Sequence, residues 1–473
     1  MKKFFKSLGR FNKFIIVFLI IIFSLLSYLS IPALYEYERL QKELSNKVLD
    51  EFNLNLSLSN EIKYHIFPSP NFTINDNLLN FNVNELENFG ELKKVKIFIS
   101  IKNLFNQNKL KINEIKFYES NFTINKQNFK YFNQFLREKT KNPLKIINSK
   151  VFFKDKENDE TLAIANISNG KIVFDQKNNK KIFSSDGSIF NTNYNLDLGV
   201  SLENVNLIDL ILNFQELNLK IKNQVSLKND YRKVIGQTYI DLFREKIKFK
   251  YNIIDSNITF ETEKNSKIKF SGIIDQSPFY FQIKIFLKNA DIQTLLDINS
   301  KLENYLNNNY LLNKNFNGKL LINIDKVYGS KYLDGVEISA SFLNGKINLN
   351  GSKIGLDKLG VIHLNDFNIS TKKNKVLFET KNLFEVSNLA QFNRVFQLPK
   401  NKKRNIENIY FEINKIVSSE TLSINKIVIN NEINKPDFKK IDILKDIQLK
   451  SIENLNNWFD LKYLVRKLLT EIN

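Results

Sequence analysis

Few side chains in this chain could catalyse a reaction. Its 473 residues include no cysteine, and its two histidines, His65 and His363, lie far apart in the sequence. The absence of cysteine excludes disulfides, thiolate zinc sites and cysteine nucleophiles, and the distance between the histidines argues against histidine metal sites and Ser-His-Asp triads. No phosphate-loop, nucleophile-elbow or zinc-protease motif occurs. We therefore expect no enzyme, no metal and no cofactor, and interpret His65 as a structural strand residue.

The charge of the chain is strongly positive, at +20. Such a balance fits nucleic acid or a membrane surface as partner, but we interpret part of it as lysine filling surface positions in this Lys- and Asn-rich sequence. Two basic runs, KNNKK (177–181) and PKNKKR (399–404), lie between predicted strands. We interpret both runs as solvated loops, with contact to anionic lipid headgroups as the alternative.

The N-terminus predicts a membrane anchor. A basic segment at 1–13 precedes the uncharged stretch 14–34, and roughly 20 helical residues cover a hydrocarbon core of about 30 Å. The basic flank would remain cytoplasmic, which sends the rest of the chain across the membrane and argues against nucleic acid as a partner. A cleaved signal peptide is the alternative, but no small-residue cleavage site comes after the stretch. The predicted anchor residues are Phe14, Ile15, Ile16, Val17, Phe18, Leu19, Ile20, Ile21, Ile22, Phe23, Leu25 and Leu26.

The pattern beyond the anchor changes from a helical to a strand period. Leu40, Leu44, Val48 and Phe52 are spaced by four residues, which predicts a short amphipathic helix that packs on the strands after it. From about residue 54, apolar and polar residues alternate, as in KKVKIFISIK, KIKFKYNI and FYFQIKIFL. Alternation predicts half-buried antiparallel strands, roughly twenty of them here, joined as a meander without a β-α-β rhythm.

Two further helices interrupt this pattern, and one pentapeptide is repeated within it. Helices are predicted near 289–308 and at 451–469. The C-terminal one is expected to pack on the sheet end, with docking to a membrane surface or a partner as the alternative. The pentapeptide NFTIN occurs at 71–75 and 121–125, and we interpret each copy as one strand of the same amphipathic sheet. The apolar stripe of the C-terminal helix comprises Trp458, Phe459, Leu461, Leu464, Val465, Leu468 and Ile472.

The order of these features resembles the AsmA family. The resemblance rests on the anchor, the helix RLQKELSNKVL, the P-x-P of Pro68 and Pro70 before an amphipathic strand, and the segments 148–167 and 315–354. It implies an inner-membrane anchor, a periplasmic body and a long β groove that carries phospholipid acyl chains toward the outer membrane. The implied domains are a cytoplasmic segment 1–13, a transmembrane helix 14–34, an N-terminal AsmA-like β region 35–235, a C-terminal module 236–400 and terminal strands with a helix at 401–473.

The predicted fold class is therefore mainly β: a transmembrane helix followed by an elongated, curved antiparallel β-sheet groove with a few short helices. Alternation alone leaves open whether the apolar face lines a groove or fills a sealed core. The scarcity of helices, the meander and the resemblance favour the groove. Its candidate lining residues are Phe72, Ile74, Val95, Ile97, Ile99, Ile112, Phe122, Ile124, Ile247, Phe249, Phe281, Ile283, Ile285, Ile322 and Ile338.

The predicted function is phospholipid binding and transfer in outer-membrane biogenesis. The expected partners are phospholipids, the inner membrane and outer-membrane or other envelope proteins. The alternative is a scaffold or regulatory factor in outer-membrane protein assembly, which would dock partners through the C-terminal helix and the lysine-rich loops and carry no lipid.

Overall fold

The protein is mainly β and divides into two compact units, Met1–Leu227 (unit 1) and Lys228–Asn473 (unit 2). Each unit has its own sheet pairings and its own apolar clusters. The computed structural model describes residues 2–57, 61–80, 89–125, 135–140, 142–155, 160–203, 207–227, 233–242, 245–254, 257–264, 266–276, 278–295, 302, 306, 311–373, 375–400, 403, 405–417, 422–430 and 466.

Unit 1 begins with two helices and continues with strands. The helices are α1 (Lys2–Ser30) and α2 (Tyr37–Phe52), with a 3₁₀ turn at Ile31–Leu34 between them. The strands are β1 (Asn55–Ser57), β2 (Ile62–His65), β3 (Asn71–Asn80), β4 (Gly90–Ile99), β5 (Ile112–Tyr118), β6 (Asn121–Ile124), β7 (Leu144–Asp155), β8 (Glu160–Asp175), β9 (Lys180–Ile189), β10 (Thr192–Ser201), β11 (Leu207–Phe214) and β12 (Leu219–Leu227).

Unit 2 consists of further strands, the short helix α3 (Leu389–Val395) and a helical segment that begins at 292–295. The strands are β13 (Lys233–Leu242), β14 (Glu245–Ile254), β15 (Asn257–Thr262), β16 (Ile268–Gln276), β17 (Phe279–Asp291), β18 (Asn317–Tyr328), β19 (Leu333–Leu343), β20 (Lys346–Asn348), β21 (Ser352–Leu356), β22 (Gly360–Lys372), β23 (Lys375–Val386), β24 (Asn408–Ile416) and β25 (Leu422–Ile429).

The N-terminal helix is long and apolar enough to cross a membrane. The qualifying stretch, Ile15–Leu34, has 20 residues, and its side chains are largely exposed. It contains the predicted anchor residues from Ile15 onward, whereas the side chain of Phe14 lies outside the described part. Pro32 in the 3₁₀ turn ends the regular helix, because proline lacks the backbone N–H that the next turn would need.

Helix α2 covers the first strands of unit 1, as its spacing predicts. Leu40, Leu44, Val48 and Phe52 are all buried in one cluster with residues of β1, β3, β4 and β5. Asn53, directly after the last helical residue Phe52, adopts the left-handed conformation that asparagine tolerates at a helix C-terminus. The amphipathic helix is therefore confirmed.

The sheet of unit 1 is mixed, whereas the sequence predicted an antiparallel meander. Strand β7 runs parallel to both β5 and β6, while β7 through β12 pair antiparallel in chain order. A parallel neighbour requires a crossover connection, and here residues 125–143 supply it, with a helical turn at 135–137. Alternation predicts strands but carries no information on which neighbour a strand chooses.

Unit 2 contains a second crossover. Strands β17 and β18 pair parallel, and the remaining described neighbours pair antiparallel. The predicted helix at 289–308 starts too early, because residues 289–291 still pair with β18 as the end of β17. The chain is helical at 292–295, and much of the following segment lies outside the described residues. The predicted C-terminal helix also lies outside them, except for Arg466.

Candidate functional site

The predicted lining residues of unit 1 belong to a closed core. Each lies at or below 4 % exposure except Ile124, which is partly buried, because α2 and the 100–111 loop cover this end of the sheet. The structure thus places them in contact with protein rather than on an open face. These residues are Phe72, Ile74, Val95, Ile97, Ile99, Ile112, Phe122 and Ile124.

The predicted lining residues of unit 2 share one sheet face. Residues directly opposite each other on neighbouring strands point the same way, and Ile285, Ile322 and Ile338 are opposite one another on β17, β18 and β19. The strands from β14 to β17 pair one after another, and their register places their apolar residues on this same face. We call this surface the unit 2 apolar face. Its members are Ile247, Phe249, Tyr251, Ile253, Ile258, Phe260, Ile268, Phe270, Ile274, Phe281, Ile283, Ile285, Leu287, Leu320, Ile322, Ile324, Val336, Ile338 and Ala340.

Most of the unit 2 apolar face is neither sealed nor fully exposed. Ile283, Ile285, Ile322 and Ile338 are all half-buried. The crossover segment covers one end, where Leu312 and neighbouring residues pack with Phe281 and Phe342. Helix α3 covers a separate patch on the later strands. Neighbouring strands are about 4.8 Å apart, so the six strands β14–β19 span a width of about 24 Å. This width exceeds the thickness of the acyl layer in one bilayer leaflet, roughly 15 Å.

Aromatic rings form the floor of this face. Tyr251, Phe260 and Phe281 each lie directly opposite a glycine on the neighbouring strand: Gly236, Gly272 and Gly318, respectively. A Cβ added at any of these glycines would come within 2.6 Å of the facing ring. The missing side chains therefore let the rings lie over the backbone of the adjacent strand. Phe260 also stacks on Phe270, with ring centroids 4.8 Å apart.

The opposite face of the same strands is polar and basic, with scattered apolar residues. Lys248 forms an ion pair with Glu263 at 3.1 Å, and the Glu263 hydrogen bond raises the pKa of Lys248. Leu321, next to Ile322 on β18, points to this side and is 42 % exposed. Adjacent residues of β18 thus point to opposite faces of the sheet. A substitution at Leu321 is therefore a matched control for the same substitution at Ile322.

A row of lysines crosses the outer face of unit 1, and sequence reasoning missed it. Lys96, Lys116, Lys145 and Lys171 are directly opposite one another on β4, β5, β7 and β8. Glu114 pairs with Lys116 at 3.1 Å and with Lys145 at 2.6 Å. Partial burial raises the pKa of Glu114, but the hydrogen bonds from these two lysines outweigh it and hold the pKa below its usual value. The row forms because strand pairing brings lysines from distant parts of the sequence opposite one another.

One lysine of the predicted loop KNNKK is buried, so that part of the solvated-loop interpretation is wrong. Lys181 belongs to β9, and its side chain is fully buried. Its Nζ donates to the Phe135 carbonyl at 2.6 Å and lies 3.9 Å from the centroid of the Phe135 ring. Burial lowers the pKa of Lys181 to about 8, although the Glu138 carboxylate acts in the opposite direction.

The histidines are separate in the structure as well. His65 is an exposed residue of β2, and His363 on β22 lies 3.2 Å from a Glu385 carboxylate oxygen. Within the described ranges, no cluster of three or more His, Asp or Glu side chains could hold a metal ion. The apolar face of unit 2, rather than any polar cluster, is therefore the candidate functional site.

Comparisons with protein families, with characterised proteins and with solved structures found no match for this chain. The AsmA resemblance consequently rests on the sequence motifs alone. The candidate site rests on the register and exposure of the strands, and it stands independently of that resemblance.

Proposed function

We propose that this chain is a membrane-anchored lipid-binding protein whose unit 2 apolar face holds phospholipid acyl chains. The observation that carries the proposal is the continuity of this face across β14–β19 together with its half-buried state. Contiguous apolar surface of this kind needs a cover, since soluble proteins rarely leave a large patch in water. A flexible alkyl chain fits an aromatic and aliphatic floor without requiring polar partners.

The rest of the proposal concerns location. Helix α1 would anchor the chain in the bacterial inner membrane, with the basic segment 1–13 in the cytoplasm and both units in the periplasm. There the bound phospholipid would be on its way to the outer membrane, as the AsmA resemblance implies. The scaffold alternative stays a prediction, because the C-terminal helix on which it depends lies outside the described residues apart from Arg466.

A pair of charge substitutions on β18 tests the proposal. Ile322→Glu places a carboxylate on the apolar face, whereas Leu321→Glu places one on the opposite face of the same strand. Burying an ionised carboxylate against acyl chains is costly, so the full-length Ile322→Glu protein should retain several-fold less phospholipid than the Leu321→Glu protein. Lipid phosphorus and mass spectrometry on proteins purified in the same detergent measure the difference.

Wild type, Ile322→Glu and Leu321→Glu all carry the same α1. Lipid bound around this helix therefore does not contribute to the difference between them. Amide exchange of the peptide that covers β18 checks that both variants keep the strand. Equal phospholipid in wild type, Ile322→Glu and Leu321→Glu, with the strand intact in each, would overturn the proposal.

A further inference from the structure

Exposed apolar side chains lie at the end of the apolar stretch and in the two loops that follow β2 and β4. Phe67 and Phe105 are 74 % and 78 % exposed, the highest values for any described phenylalanine outside α1. Phe67 lies in the loop between β2 and β3, and Phe105 lies in the loop between β4 and β5. Leu34, the last residue of the apolar stretch, and Ile101 are also exposed. We call these four residues the helix-end cluster.

Three tyrosines tie the two loops to the helix end. Tyr28 Oη donates to the Ile101 carbonyl at 2.8 Å, and the Tyr28 ring contacts Phe105 with centroids 5.2 Å apart. Tyr64 Oη, from the other loop's strand, donates to the Leu29 carbonyl at 2.5 Å. Tyr35, just after the turn, donates to the Leu104 carbonyl. The β4–β5 loop and the end of β2 that leads into the other loop therefore lie beside the helix end.

These attachments determine the level of the loops along the helix. Tyr28 and Leu29 lie six and five residues, respectively, before Leu34, the end of the apolar stretch. At about 1.5 Å per residue in the α-helix and about 2 Å per residue in the 3₁₀ turn, the contact points lie about 10–11 Å before that end. If the stretch fills the hydrocarbon core, Leu34 lies at its edge, so chain that contacts the helix at this level must cross the boundary between headgroups and acyl chains, where tyrosine is enriched.

The charge of the loops fits the same location. The segments 62–75 and 100–113 contain no acidic residue, and they carry Lys63, Lys102, Lys109 and Lys111. All four lysines are exposed, and Lys63 also forms an ion pair with Glu61 at 3.3 Å, just before the first segment. Basic residues around an apolar tip are the arrangement by which peripheral segments bind anionic lipid surfaces.

We propose that the helix-end cluster inserts into the membrane interface, so that unit 1 is docked on the bilayer rather than tethered above it. This inference rests on the proposed anchor and deepens it, because it fixes one end of the unit 1 sheet at the lipid surface. The occupant is the bilayer itself. The contacts of the β4–β5 loop and of Tyr64 on β2 with the helix end, together with the absence of acidic residues from the two loops, favour it.

Single-cysteine spin labels test this docking, since the chain has no cysteine of its own. Phe67→Cys and Phe105→Cys report on the cluster. Phe190→Cys, at the exposed turn between β9 and β10 of the same unit, is the control, and Leu25→Cys reports on the anchor. Each full-length protein is labelled and reconstituted in phosphatidylethanolamine–phosphatidylglycerol vesicles. Electron paramagnetic resonance then compares collisions with oxygen, which partitions into lipid, and with a water-soluble nickel chelate.

We expect the ratio of oxygen to nickel collisions at 67 and 105 to exceed that at 190 several-fold and to remain below that at 25, which lies near the middle of the apolar stretch. A lipid-like ratio at 25 with water-like ratios at 67 and 105 would overturn the docking while leaving the anchor in place. A water-like ratio at 25 would overturn the anchor, and the docking with it.

Discussion

Replacing Phe52 with alanine is expected to destabilise unit 1 by about 3–5 kcal/mol. Phe52 is the last residue of α2 and is only 1 % exposed. It packs in the cluster that joins α2 to β1, β3 and β4. Truncation would remove most of the apolar contact at this point and leave a cavity, because the surrounding strands are held by their own hydrogen bonds and can collapse only in part.

Hydrogen exchange with mass spectrometry measures this effect locally. A loss of at least 3 kcal/mol corresponds to amide exchange about a hundredfold faster or more, and we expect it in peptides that cover β3 and β4. Peptides from β18 in unit 2 serve as the internal control, and Lys42→Ala, on the exposed side of α2, as the matched variant. Unchanged protection of β4 in the Phe52→Ala protein would show that α2 does not stabilise this sheet.

The second large effect concerns the pH dependence contributed by Lys181. Its pKa falls from 10.5 to about 8 because burial disfavours the charged ammonium. The unfolded chain thus binds more protons than the folded one between pH 8 and 10.5, so stability rises with pH across this window. From pH 7 to 9.5 the gain amounts to about 2 kcal/mol. Below pH 8 the full cost of burying the charge, about 3 kcal/mol, is present.

Lys181→Met keeps the length of the side chain and removes the charge. We expect the wild-type stability of β9, measured by hydrogen exchange with intrinsic rates corrected for pH, to rise between pH 7 and 9.5 by about 2 kcal/mol more than that of the variant. Lys177→Met, at the exposed turn before β9, should behave as wild type. If Lys181→Met and wild type had the same pH dependence of stability, the assignment of this pH dependence to Lys181 would be contradicted.

The sequence predicts the local structure of this protein well, because alternation and four-residue spacing reflect which face of an element meets water. The strand KKVKIFIS and helix α2 illustrate this, with Val95, Ile97 and Leu44 buried as expected. It does not predict strand partners. The parallel pairs of β7 and of β18 depend on crossovers, and nothing in a two-residue period distinguishes a crossover from a hairpin.

The candidate site could be predicted only in part, for a related reason. A sealed core and an open apolar face have the same period, so Ile97 and Ile322 look alike in the sequence. What separates them is the cover: α2 closes the face above Ile97, whereas Ile322 is half-buried. Likewise, Lys181 belongs to a basic run that resembles a solvated loop, and only the packing of Phe135 on β9 shows that it is buried.

The central claim is that acyl chains occupy the unit 2 apolar face, and photo-crosslinking in living cells tests it most directly. A benzophenone amino acid at position 322 reaches the apolar face, and the same residue at 321 reaches the opposite side of β18. Both substitutions are apolar and add no charge to the sheet. We predict that phospholipid crosslinks to position 322 and that position 321 gives little or none. Equal crosslinking at the two positions, or none at 322, would contradict the account.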